Sequence, residues 1–78
     1  MKKVTVYSRS GCHLCEIAID RIKSTLGELD FELYITLIDD DIELQKEFSE
    51  QVPVILIDGK VHDFWRVDLD RFTKAVRA

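Results

Sequence analysis

Val4 and Val6 alternate with Thr5 and Tyr7 across positions 3–8, and a period of two in β-branched and aromatic residues predicts a strand with two distinct faces. Ser10-Gly11 breaks that period. From Cys12 onward the apolar positions are Leu14, Ala18, Ile22, Leu26 and Leu29, spaced by three and four, so an amphipathic helix of about four turns should follow and stop near Gly27. Positions 31–38 alternate and then become apolar, which predicts a second strand, and Asp39, Asp40 and Asp41 supply N-cap candidates for a short helix over positions 42–48. Pro53 punctuates the chain ahead of Val54-Ile55-Leu56-Ile57. That β-prone run ends in Asp58-Gly59, the dipeptide of a two-residue hairpin, and positions 61–64 form the returning strand. Asp68 then caps a last helix with Leu69, Phe72, Ala75 and Val76 at helical spacing, while Arg71, Lys74 and Arg77 face water and suit its C-terminal end.

The predicted order is βαβαββα. Its opening βαβ unit requires parallel strands joined by a right-handed crossover, and the later hairpin adds antiparallel strands, giving an α/β fold with a four-stranded mixed sheet flanked by three helices. A length of 78 residues allows one domain, expected to span residues 1–78, and 46% hydrophobic residues with only three Gly and one Pro give it enough apolar material for a core. Charge narrows the partners. Eleven Lys plus Arg against fifteen Asp plus Glu leave a net charge of −4, with no basic cluster denser than Lys2-Lys3, so nucleic acid is not expected as a partner. No apolar run exceeds four residues, so neither a membrane span nor a signal core is expected, and the default compartment is the cytoplasm.

In that reducing compartment, the pair Cys12-His13-Leu14-Cys15 reads as redox or metal chemistry rather than as a structural staple. It falls where the first strand gives way to the first helix. Unpaired N–H groups and the positive end of the helix dipole favour a thiolate there, so Cys12 is placed to ionise and attack, and Cys15, one turn further in, to close a disulfide. His13 adds positive charge beside the thiolate when protonated, or faces solvent and contributes little. Two ordinary buried thiols are one alternative, but they would not need Gly11 just ahead of them to free the backbone for a tight turn. A metal site is the other, with Cys12, Cys15, His13 and His62 as its cysteine and histidine ligands. Structural zinc takes four ligands in two spaced pairs, and no second pair exists, so no metal is expected.

The run Val6-Tyr7-Ser8-Arg9-Ser10-Gly11-Cys12-His13-Leu14-Cys15, with Gln51-Val52-Pro53-Val54-Ile55 and the Asp58-Gly59 hairpin, resembles the glutaredoxin branch of the thioredoxin superfamily over essentially the whole chain. The resemblance implies a thioredoxin-like fold and thiol–disulfide oxidoreductase chemistry, with Cys12 as nucleophile and Cys15 as resolving thiol. It makes Pro53 the cis-proline facing the disulfide, with the backbone of Val52 offered to an extended substrate. Read without the resemblance, Pro53 is equally a trans loop proline. The resemblance also matches Asp68 to the helix-capping acid that meets the amino group of glutathione, and Arg9 to a basic residue near its glycine end; His13 joins them as a substrate-binding residue. The chain departs from the family in carrying His13-Leu14 where Pro-Tyr is usual, and Phe64-Trp65 where a Gly-Gly pair lets the backbone approach glutathione.

A domain this small needs its large side chains inside, so Phe64 and Phe72 are assigned to the core, with Trp65 divided between core and a docking surface. Arg66 and the acids at 39 to 41 are read as solvated surface. The expected function is dithiol exchange as a monomeric enzyme with no bound cofactor, acting on protein or small-molecule disulfides and recharged by a cellular thiol reductant, for which glutathione is one candidate. The alternative is a non-enzymatic module of the same fold, used for protein docking or for metal or iron–sulfur delivery.

Overall fold

The alternation at the N-terminus forms β1 (Lys2–Ser8), followed by α1 (His13–Ser24), β2 (Phe31–Leu37), a single 3-10 turn at Ile38–Asp40, α2 (Ile42–Phe48), β3 (Val54–Ile57), β4 (Lys60–Phe64) and α3 (Leu69–Arg77). These ranges come from a computed structural model that describes residues 1–48 and 51–78. The sheet order is β2-β1-β3-β4. β1 pairs parallel to β2 across the α1 crossover and antiparallel to β3, which pairs antiparallel to β4. The expected βαβαββα order is therefore the observed one.

The two central strands are covered on both faces, and the pleat sorts their side chains. Val4 and Val6 of β1 and Ile55 and Ile57 of β3 pack with Ala18 and Ile22 of α1 and with Phe72 and Val76 of α3. On the opposite face Tyr7, Val54 and Leu56 meet Phe48 and Leu44 of α2, with the Tyr7 and Phe48 rings 5.3 Å apart. The run 54–57 is wholly buried because α2 covers its even positions and the helix pair its odd ones. Asp41 caps α2 by accepting the Leu44 N–H at 3.1 Å, as the acidic stretch predicted. At the hairpin tip Asp58 (φ 51°) and Gly59 (φ 83°) both take the left-handed conformation of a primed turn. The Asp58 carboxylate accepts the Lys3 N–H at 2.9 Å, tying the tip to β1; that hydrogen bond holds its carboxyl below the ordinary value, and the nearby Lys2 charge adds to it.

Several expectations need correction. α1 ends at Ser24 rather than near Gly27. The Ser24 and Thr25 hydroxyls donate to the Arg21 and Ile22 carbonyls at 2.6 and 2.7 Å, occupying acceptors that another helical turn would need. Its buried stripe is Cys15, Ala18 and Ile22, so Leu14, displaced by one residue and hence by about 100° around the axis, is exposed, as is Leu26. Ile38 leaves the second strand and opens the 3-10 turn, where it is fully buried. The fourth strand begins one residue early, at Lys60.

Phe64 is not core: it is 41% exposed. It pairs with Val54 and so lies on the α2 side of the sheet, but on the outermost strand, beyond the Tyr7–Leu44–Phe48 cluster through which α2 covers that face. A register shift contributes, since Ile55 opposes Asp63 while Leu56 opposes Val61. His62 is left as the extra residue of a bulge. Its ring turns toward Phe72, with centroids 6.5 Å apart, and its Nε2 is buried without a hydrogen-bond partner among the described residues.

Candidate active site

β1 delivers the chain to one end of the sheet, where Gly11, at φ +75°, makes the turn that a side chain would strain. The Cys12 N–H donates to the Arg9 carbonyl at 3.3 Å, and the Glu16 N–H to the Cys12 carbonyl at 3.2 Å, so Cys12 is the N-cap of α1. Its Sγ accepts the Cys15 N–H at 3.2 Å, the role a Ser or Asp oxygen plays at other helix starts. Cys12 and Cys15 are joined as a disulfide with Cα atoms 5.3 Å apart. The two sulfurs are not equivalent. Cys15 is 1% exposed and packs on Ile38 and Val52, whereas Cys12 is only partly buried against the same cluster. An incoming group meets Cys12 first.

Of the residues named from the sequence, Val52 lies in the cluster beneath the disulfide and Pro53 is buried beside it. The Val52–Pro53 bond is cis, and the Pro53 carbonyl accepts the Trp65 N–H at 2.8 Å, linking this turn to the segment after β4. Arg9 is exposed at the end of the approach strand. Asp68 caps α3, its carboxylate accepting the Asp70 and Arg71 N–H groups at 3.0 and 3.3 Å. His13 points to solvent, 3.7 Å from Glu16, an exposed pair that adds little.

Other participants carried no signal in the sequence. Tyr7, Ile38 and Leu44 pack around Cys15, Cys12 and Val52. Asp39 is not idle surface: it accepts both the Ser10 N–H at 2.9 Å and the Ser10 hydroxyl at 2.7 Å, anchoring the loop two residues ahead of Cys12. The Ser10 hydroxyl bond, then the amide bond, hold the Asp39 carboxyl below its ordinary value of 3.8, with the Arg9 charge assisting. A carboxyl whose folded pKa is depressed stabilises the fold above its unfolded pKa, and that contribution is lost as pH falls through the folded value. Asp39→Ala should therefore speed amide hydrogen exchange at Ser10 near neutral pH and leave no difference from the parent protein once the carboxyl is protonated. Equal exchange in both proteins at neutral pH would remove Asp39 as the anchor.

A groove of about 240 Å³ is lined by Leu14, Ile17, Ala18 and Arg21 of α1 and by Trp65, Arg66 and Val67 of the segment between β4 and α3. Trp65 holds φ 71°, a conformation uncommon outside glycine and asparagine, and its ring meets Phe64 edge-on at 5.4 Å. Trp65 is 53% exposed, which settles its placement on the surface side. Among the described residues no three His, Cys, Asp or Glu side chains come together to hold a metal ion, and no helix is long and apolar enough to cross a membrane.

Comparison with known proteins agrees with this geometry. Among solved structures, the solution structure of protein Ne2328 from Nitrosomonas europaea superposes with a TM-score of 0.86 at 30% identity, covering 96% of this chain and 91% of that one. The X-ray structure of XcR50 from X. campestris gives a TM-score of 0.75 at 29% identity over 95% of both chains. The fold is thioredoxin-like. Protein Rv0508 of Mycobacterium tuberculosis and protein Mb0520 of Mycobacterium bovis are each 32% identical, over 88% of this chain and 76% of theirs. A family model described as Glutaredoxin-like domain (DUF836) matches residues 3–77. With the cysteine pair at the start of α1 and the cis Val52–Pro53 turn beside it, the chain belongs to this glutaredoxin-like family of the thioredoxin superfamily.

Proposed function

We propose that the protein is a thiol–disulfide oxidoreductase working by dithiol exchange through Cys12 and Cys15. The observation that carries this reading is the asymmetry of the pair: Cys12 sits at the helix N-cap within reach of the Cys15 N–H, and Cys15 is shielded one turn behind it. After reduction the same N–H stabilises a Cys12 thiolate, the attacking species. The thiolate attacks one sulfur of a substrate disulfide, forming a mixed disulfide and releasing the other sulfur as a thiolate. Deprotonated Cys15 then attacks the Cys12 sulfur, which closes the Cys12–Cys15 disulfide and frees the second substrate thiolate. The substrate gains two electrons and the dithiol loses them. A cellular thiol reductant restores the pair.

Val52 and Pro53 form the wall against which an extended substrate lies, and Arg9, His13 and Asp68 stand around the same end of the sheet as polar substrate contacts. The direct test mixes the reduced protein with a small neutral disulfide and follows both products. One equivalent of Cys12–Cys15 disulfide per two substrate thiols released supports the reading, and no thiol release refutes it. Running the recycling step with glutathione and with a thioredoxin reductase identifies the donor.

Glutathione should couple weakly in this protein, because Phe64 and Trp65 occupy the surface where the family offers bare backbone. Replacing both by Gly should raise glutathione-coupled turnover several-fold, and at Trp65 it also removes about 1 kcal/mol of left-handed backbone strain. Efficient glutathione-coupled turnover in the unaltered protein would show that the aromatic pair leaves the site open.

A further inference from the structure

We infer that the 3-10 turn Ile38–Asp40 is a clamp that holds the two cysteines in register for the resolving step, with Asp39 and Gln45 as its positioning residues; this rests on the oxidoreductase reading above. Two neighbouring residues of the turn each serve one cysteine. Ile38, fully buried, shares a cluster with Cys15. The Asp39 carboxylate holds Ser10, two residues ahead of Cys12, and does so through one oxygen: its Oδ2 accepts both the Ser10 N–H at 2.9 Å and the Ser10 hydroxyl at 2.7 Å. The turn is itself tied to α2. The Gln45 side-chain amide donates to the Ile38 carbonyl at 2.9 Å and also to the Asp39 carbonyl, and the Asp41 N–H donates to the Ile38 carbonyl at 3.0 Å. One side chain of α2 thus fixes both residues on which the cysteines depend.

The loop ahead of Cys12 needs such a tie. Ser10 and Gly11 are exposed, and a side chain at Gly11 would meet nothing within 4 Å, so packing does not hold the backbone there and glycine leaves it permissive. Cys12 stands outside α1 as its N-cap, in an extended conformation (φ −84°, ψ 104°), so the helix ladder does not fix its sulfur either. A carboxylate accepting two hydrogen bonds supplies the missing restraint. Its loss should fall unequally on the two steps of exchange. In the first, a diffusing disulfide adjusts its approach to wherever Cys12 stands. In the second, Cys15 is buried and held on α1, and its attack on the Cys12 sulfur, which releases the substrate thiolate, depends on orientation fixed in advance.

The experiment mixes reduced protein with hydroxyethyl disulfide in a single turnover, quenches with acid and follows the mixed disulfide by mass spectrometry. Asp39→Ala should slow its resolution about tenfold, the size of a lost hydrogen bond to a charged group, while its formation changes by less than about twofold, so that the adduct accumulates for a time. Gln45→Glu, which exchanges the donor amide for an acceptor of the same shape, should give the same split. Asp39→Asn should recover most of the resolving rate, because one carboxamide oxygen can take both bonds from Ser10. If Asp39→Ala does not fold, Ser10→Ala removes one of the two bonds at an exposed position and should slow resolution about threefold. Resolution at the parent rate in these variants, or equal slowing of both steps, would overturn the clamp and leave the oxidoreductase reading intact. Asp39→Asn behaving as Asp39→Ala would assign the effect to charge and overturn the positioning role. An unaltered protein inert toward hydroxyethyl disulfide would remove the oxidoreductase reading, and the clamp with it.

Discussion

Cys12→Ser should lose disulfide reduction by at least about a thousandfold in kcat/KM, as removal of a nucleophile does, whereas Cys15→Ser should complete the first half of the reaction and stop there. A serine hydroxyl in place of Cys12 has neither a populated anion near neutral pH nor a sulfur through which exchange can pass. With Cys15 replaced, Cys12 can still form the mixed disulfide, but nothing behind it displaces the product, so the adduct accumulates and is visible by mass spectrometry. Reduced Cys12 should also titrate below the ordinary thiol value of about 8.5, because its sulfur faces the Cys15 N–H at the positive end of α1. Among the described residues no hydrogen bond to the Cys15 sulfur is found comparable to the one Cys12 accepts, and Cys15 is 1% exposed. Iodoacetamide kinetics against pH, run on each single variant, separate the two. Similar rates and similar apparent pKa values near 8.5 would remove the asymmetry on which the mechanism depends.

Phe72→Ala should be the most damaging change away from the cysteines. Phe72 is fully buried, lies edge-on to Phe31 of β2 with ring centroids 5.4 Å apart, and carries the His62 ring on another side. Truncating such a residue costs about 3–5 kcal/mol in transfer and cavity terms. A domain of this size has a total stability of about 4–12 kcal/mol, so the variant should melt about 15–30 °C lower or be largely unfolded at room temperature. The same change also frees His62 from its aromatic cover. A thermal melt displaced by only a few degrees would show that α3 holds to the sheet without this anchor.

The cysteine pair and its place in the chain were legible because they depend on local rules. A period of two followed by a period near 3.6, with Ser10-Gly11 between, puts Cys12 at a helix start whatever the rest of the chain does. The hairpin at Asp58-Gly59 and the caps at Asp41 and Asp68 are equally local, each a side chain or backbone group acting within a few residues. The length of α1 was not legible in the same way, since the apolar positions at Leu26 and Leu29 continue the stripe while the Ser24 and Thr25 hydroxyls end the helix.

The sequence by itself determined the order of the elements and the thiol pair at the head of α1, because spacing and side-chain type act over one or two turns of chain, whereas the two-sided burial of the run 54–57 came from the central place of β3 in the sheet. Only the tertiary structure decided which end-of-sheet residues meet. Asp39 reaches Ser10 across 29 positions, the Trp65 N–H meets the Pro53 carbonyl, and a one-residue bulge sends His62 inward and helps leave Phe64 at the surface. Such pairings turn on register and on which strand lies at the edge. A shift of one residue reverses every side chain on a strand, and no local pattern records it.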